Sequence, residues 1–243
     1  MLRPIVLILA VLAGGAAADS GQRSDRFDAE LRLSMASYYA ALLASAHGNA
    51  EATLRHLVLF RSRWEQLARG GSRQDSPAWF GADVRGEPIW AAVASKIEVA
   101  RRQLPRNVTG AHAELEAIRL LLRDARARHG ALGFDDALTE YHDAMERVLS
   151  LAGGRNEIAL TASDFGVLGG AIKRAEAGWS AVESSRGAPK GLADWKDIAA
   201  GTASALRAAA ESAKRQDAAA VQHASEDLRN RYDDLLRILS RWQ

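Results

Sequence analysis

Residues 27–42 read FDAELRLSMASYYAAL, and residues 134–149 read FDDALTEYHDAMERVL. Each stretch opens on Phe-Asp and then repeats apolar side chains every three or four positions. Phe27, Leu31, Met35, Tyr38 and Leu42 form one stripe; Phe134, Leu138, Tyr141, Met145, Val148 and Leu149 form the other. That period is the signature of an amphipathic helix buried along one face. The two openings lie 107 residues apart, and two tryptophans follow each at similar distances: Trp64 and Trp90, then Trp179 and Trp195, with offsets of 115 and 105. The chain therefore reads as an internal duplication of a helical unit.

Helical spacing extends almost everywhere, and no stretch sustains the alternation of a half-buried strand. In the first copy, Gly48-Asn49 ends the opening stripe, and a second helix follows from Ala50 to Arg69 with Leu57, Phe60, Trp64 and Leu67 inward. A loop rich in Gly, Ser and Pro runs from Gly70 to Pro88. A third helix covers Ile89 to Leu104 and stops at Pro105; a fourth resumes near Ala111 with Leu115, Ile118, Leu122 and Ala125 on its buried line. The second copy repeats the plan, with Phe165, Leu168, Ile172 and Trp179 in its second helix. Its last two helices span Trp195 to Lys214 and Ala218 to Leu239. Short breaks make consecutive helices antiparallel neighbours. The expected fold is all-α, two tandem antiparallel four-helix bundles over 27–129 and 134–240, each large enough to hold a core. Gly153-Gly154 reads as a turn and Gly169-Gly170 as a site of close helix approach.

Residues 1–18 combine Arg3, an apolar run from Ile5 to Ala13 and the small stretch Ala16-Ala17-Ala18, the pattern of a signal peptide. The apolar run is shorter than a membrane helix requires, so the expectation is an exported, periplasmic or secreted protein with no membrane span. The chain has no cysteine, which excludes disulfides, thiolate metal sites and lipoprotein anchoring. Thirty-two basic and thirty acidic residues leave a formal charge of +2, and no basic stripe with interleaved aromatics points to nucleic acid. The arginines have acidic neighbours along helix faces and read as a solvated, salt-bridged surface.

The second copy's Trp195–Lys214 helix, the Arg215-Gln216-Asp217 turn and the final helix with Leu228-Arg229-Asn230-Arg231-Tyr232 resemble the C-terminal half of the periplasmic b-type four-helix cytochromes. That resemblance implies a four-helix bundle with an axial Met in the first helix and an axial His directly after a Tyr in the last. Met35 or Met145 matches the Met. Asp233 stands where the His belongs, so the resemblance supports the fold and counts against the haem.

Aligned on their opening Phe, the two copies place Met35 opposite His142 and Tyr38 opposite Met145. His142 and Met145 are three positions apart, where side chains on a helix lie about 5–6 Å from one another. Imidazole with thioether suits copper or a haem iron, and His223 in the last helix is the remaining histidine of that copy. His142, Met145 and His223 are thus the candidate metal ligands, with packing as the plainer role of the first two. Trp79 and Phe80 stand in an otherwise polar loop, as anchors for an envelope-protein partner or as a lid over the bundle end. His47 and His129 read as helix C-terminal caps, and His56 and His112 as flanking residues without a paired ligand. No His-Glu-x-x-His, paired Glu-x-x-His, phosphate loop or nucleophile elbow is present. The expected function is non-catalytic binding, of a transition metal or haem or, alternatively, of a protein partner as a cofactor-free adaptor.

Overall fold

The computed structural model describes residues 13–70, 76–84, 87–153 and 160–242. Among these, eight helices carry the fold: α1 (Ala13–Ala46), α2 (Ala50–Gly70), α3 (Ile89–Gln103), α4 (Val108–Arg128), α5 (Phe134–Gly153), α6 (Ala162–Ser184), α7 (Trp195–Lys214) and α8 (Ala218–Leu239). The leader read over 1–18 lies, up to residue 12, outside the described residues. α1 begins at Ala13, upstream of the Phe27 expected to open it. Helix α4 begins three residues before Ala111 because the Asn107 side chain accepts a hydrogen bond from the Gly110 N–H. The loop after α2 contains one 3₁₀ turn (Ala78–Gly81) and a minimal antiparallel pair, β1 (Asp83–Val84) with β2 (Glu87–Pro88).

Helices α1 to α4 form one bundle and α5 to α8 a second, with the same neighbours in each. The first and second helices pair, as do the third and fourth, and the first and fourth close the ring. Gly48 and Gly130 end α1 and α4 at φ values of +69° and +62°, which a Cβ would strain. Both cores are apolar: Leu57, Phe60, Trp64, Ile97, Leu115 and Leu122 in the first, and Leu138, Met145, Ile172, Trp179, Leu228 and Leu235 in the second. Fully buried Ala100, Ala111, Ala125, Ala171, Ala175 and Ala209 let helix axes approach. At Gly178 of α6 the backbone of α5 comes near enough that an added Cβ would sit 3.0 Å from the Tyr141 Cα. Gly169 and Gly170, expected to serve that purpose, instead line an open groove between α6 and α7.

The copies also seal one end alike. Phe27 packs edge-on against Trp79 and Phe80, and Phe134 against Trp195 and Trp242. The tryptophan register differs from the expected one. Ile89 is the buried first residue of α3, as Trp195 is of α7, whereas Trp90 is 39% exposed and offers only its carbonyl, to the Trp64 indole N–H at 2.9 Å.

The two bundles dock through α1 against α8 and α4 against α5, and buried charged and tyrosine side chains lie among the apolar ones of this seam. Arg126 of α4 donates to Asp136 of α5 through Nε and Nη2 at 2.8–3.0 Å, with the two side chains only 7% and 3% exposed. Asp136 also accepts the Gly133 N–H at 2.8 Å, so one carboxylate both caps α5 and anchors the arginine. Tyr39 of α1 donates to Asp135, and Arg119 reaches Asp143 at 2.8 Å one turn or more further along α5. These arginines are interior, not the solvated surface expected from their acidic neighbours. Burial pushes the Asp136 carboxyl above its ordinary value even beside Arg126, so desolvation is not fully offset. The pair fixes geometry more than it adds stability. Arg126→Met should lose about 3–5 kcal/mol by stranding a buried carboxylate, and adding Asp136→Asn should recover part of that. Urea unfolding of the two variants checks the order; a silent Arg126→Met would contradict it.

Candidate functional site

Toward one end of the seam the four docking helices part around a cavity of about 520 Å³. The end of α1 supplies Ser45 and, just beyond it, His47; α4 supplies His112 and Glu116; α5 supplies His142, Met145 and Glu146; α8 supplies Arg229, Tyr232 and Asp233. Three of the chain's six histidines therefore line one cavity, from three helices and both bundles.

Each imidazole has a distinct setting. His47, which directly follows the C-terminus of α1, has Nε2 2.9 Å from Asp233 Oδ2 across the seam. Asp233, at the position where the cytochrome resemblance would put a ligand, is thereby occupied. His112 Nδ1 is 2.8 Å from Ser45 Oγ. Ser45 Oγ also lies 2.9 Å from the Leu42 carbonyl, so the hydroxyl sits between that carbonyl and the imidazole. The other ring nitrogen, Nε2, lies 3.7 Å from Glu116 Oε1. Glu116 Oε2 pairs with Arg119, while Oε1 is buried without a hydrogen-bond partner. His142 lies 4.7 Å ring to ring from Tyr232, with Nε2 3.9 Å from Glu146 and a buried Nδ1 that faces Asp143 Oδ1 at 3.8 Å without a hydrogen bond.

Of the candidate ligands, His142 and Met145 do face a common cavity, Met145 as a buried residue of its floor. His223 does not: it is exposed on α8 and absent from the lining, because nine residues of helix separate it from Tyr232. Among the described residues, no three His, Asp or Glu side chains already converge on a metal-sized point. His112 is the cavity-lining residue that sequence reasoning passed over. Its signal is the spacing His112-x-x-x-Glu116, which puts both groups on one face of α4.

Trp79 and Phe80 are buried, not displayed to a partner. They meet Phe27 at ring distances of 6.3 and 5.1 Å, and Trp79 also lies under the Arg126 guanidinium at 5.4 Å. The loop folds back because two large apolar rings gain more by covering the bundle end than by remaining in water. Phe80→Ala should therefore cost about 3–5 kcal/mol in denaturant unfolding, whereas a surface anchor would leave stability unchanged.

Burial lowers the His112 pKa below its ordinary value, with His142 and Arg119 acting in the same direction and Glu116 and Glu146 opposing. The unfolded chain then binds more protons than the folded one as pH falls below about 6.5, so the contribution of His112 to stability is present above that value and lost beneath it. Melting temperature should fall between pH 7 and 5, and less steeply in His112→Gln; the part due to His56, lowered likewise by burial, should persist. An unchanged slope would contradict the assignment.

No helix among the described residues is long and apolar enough to cross a membrane. Compared with protein-family models, curated proteins and solved structures, the chain matches none.

Proposed function

We propose that the protein is an exported, non-catalytic binding protein that takes a cation in the cavity between its two bundles. The observation that carries this reading is the pair of orphaned atoms in that cavity's lining residues, Glu116 Oε1 and His142 Nδ1. Buried polar atoms are almost always satisfied, and a site that leaves two of them open is built for something that satisfies them. The carboxylate oxygen can only accept, so its partner brings a hydrogen-bond donor or a positive charge. Glu116, Glu146 and Asp233 outnumber Arg229 in the lining, which favours the same sign. The size suits a small ligand or an ion with its water.

The metal reading keeps His142 and Met145 in the site and loses His223. A role in engaging a protein partner draws on a separate observation: α2 leaves Leu54, Val58 and Leu59 exposed on its outer face at 39%, 52% and 48%. The two readings separate in one titration. Isothermal calorimetry of the purified protein with zinc, cupric and cuprous ions, with haem and with a panel of primary amines should give one saturable site that His142→Ala abolishes or weakens by about 10-fold or more. Absence of any cation site that depends on His142 would leave the α2 face and the adaptor role.

A further inference from the structure

Resting on that reading, we infer that the cation is a transition-metal ion chelated first by His112 and Glu116 of the first bundle and completed by His142 of the second, so that occupancy ties the bundles together. Four observations converge on this donor set. His112 Nε2 and Glu116 Oε1 lie 3.7 Å apart with no hydrogen bond between them. Two donors bound at about 2.0–2.2 Å to a tetrahedral ion sit about 3.4 Å apart, so the pair needs only a small adjustment to share one. The Ser45 relay holds the His112 ring by its other nitrogen, the arrangement by which metal-bound histidines are fixed in tautomer and direction. Arg119 holds Glu116 by Oε2 alone, leaving Oε1 to ligate.

The third donor must cross the seam. His142 lines the same cavity from α5, its ring tilted against Tyr232, and its Nδ1 makes no hydrogen bond, with Asp143 Oδ1 3.8 Å away. Because the three groups do not yet converge, the inference includes a rotation of the His142 side chain toward α4 on binding. Imidazole, imidazole and carboxylate suit zinc or the cupric ion, and a fourth position remains for water or a further ligand. Met145 stays in the core of the second bundle, so the softer copper site read from the sequence is replaced by a nitrogen–oxygen site one helix away.

The test uses the full chain with zinc and cupric ions as probes, in wild type, His112→Asn, Glu116→Gln, His142→Asn and, as a histidine outside the cavity, His223→Asn. Affinity is followed by calorimetry and occupancy by the rise in melting temperature, after each variant's metal-free melt shows that it folds. Glu116→Gln and His112→Asn both address the chelate, so a folding failure in one leaves the other. The expected result is one site per chain, weakened about 10- to 100-fold by each of the three ligand substitutions and unmoved by His223→Asn. Zinc should raise the melting temperature of wild type and raise that of His142→Asn less. Zinc or copper binding that His142→Asn removes but His112→Asn and Glu116→Gln leave intact overturns the chelate while the cation reading stands. A site for a primary amine and none for metal also overturns the inference and keeps that reading. No saturable cation in any form overturns both.

Discussion

The ion pair between Arg126 and Asp136 governs how this molecule is put together. Apolar side chains fill both four-helix bundles and run on between them as one continuous core. Set into that core where the bundles meet is a layer of arginine, aspartate and tyrosine from α1, α4, α5 and α8. Charges in that position are tolerable only when paired and hydrogen-bonded, and pairing requires the two bundles to sit in one register. The constraint begins locally. Gly130 ends α4, Gly133 starts α5, and Asp136 caps the new helix with the carboxylate that receives Arg126. A turn of only a few residues thus sets both the helix start and the docking angle.

A polar seam has a consequence that an apolar one would not. Where four helices converge tightly, Arg126 and Tyr39 find carboxylate partners across the seam; where the helices part, polar residues are left around a cavity, with Glu116 Oε1 and His142 Nδ1 making no hydrogen bond. The site continues the seam, supplied by residues from both sides. Its histidines are held by partners on different elements: His47 by α8, His112 by α1, and His142 beside a ring of α8. Anything that binds among them acts on the contact between bundles as well as on a single side chain.

The period of Phe27 to Leu42 and of Phe134 to Leu149 was enough for the fold class, the element order and most helix limits, since buried stripes and glycine stops act locally. The aromatic loop was readable only as a choice, because nothing in Trp79-Phe80 says whether the chain turns back. Arg119 and Arg126 were misread for a different reason. An arginine with acidic neighbours looks the same in sequence whether its face meets water or another bundle, and only the second packing decides. Their position one residue after Ile118 and Ala125, seven apart on α4, was the available hint. The candidate site was half legible. His142 and Met145 emerged by comparing the copies, while His112 and Glu116, although spaced for one face of α4, belong to the other bundle, and nothing in that spacing says which helix they face.

If the buried seam makes the two bundles a single body, the chain unfolds as one unit. Differential scanning calorimetry of the full protein at neutral pH measures this directly. The account predicts one transition whose calorimetric and van't Hoff enthalpies agree, splitting into two when Arg126 is replaced by methionine. Two independent transitions in the unmodified chain would show that the bundles are joined only by their linker, and would contradict it.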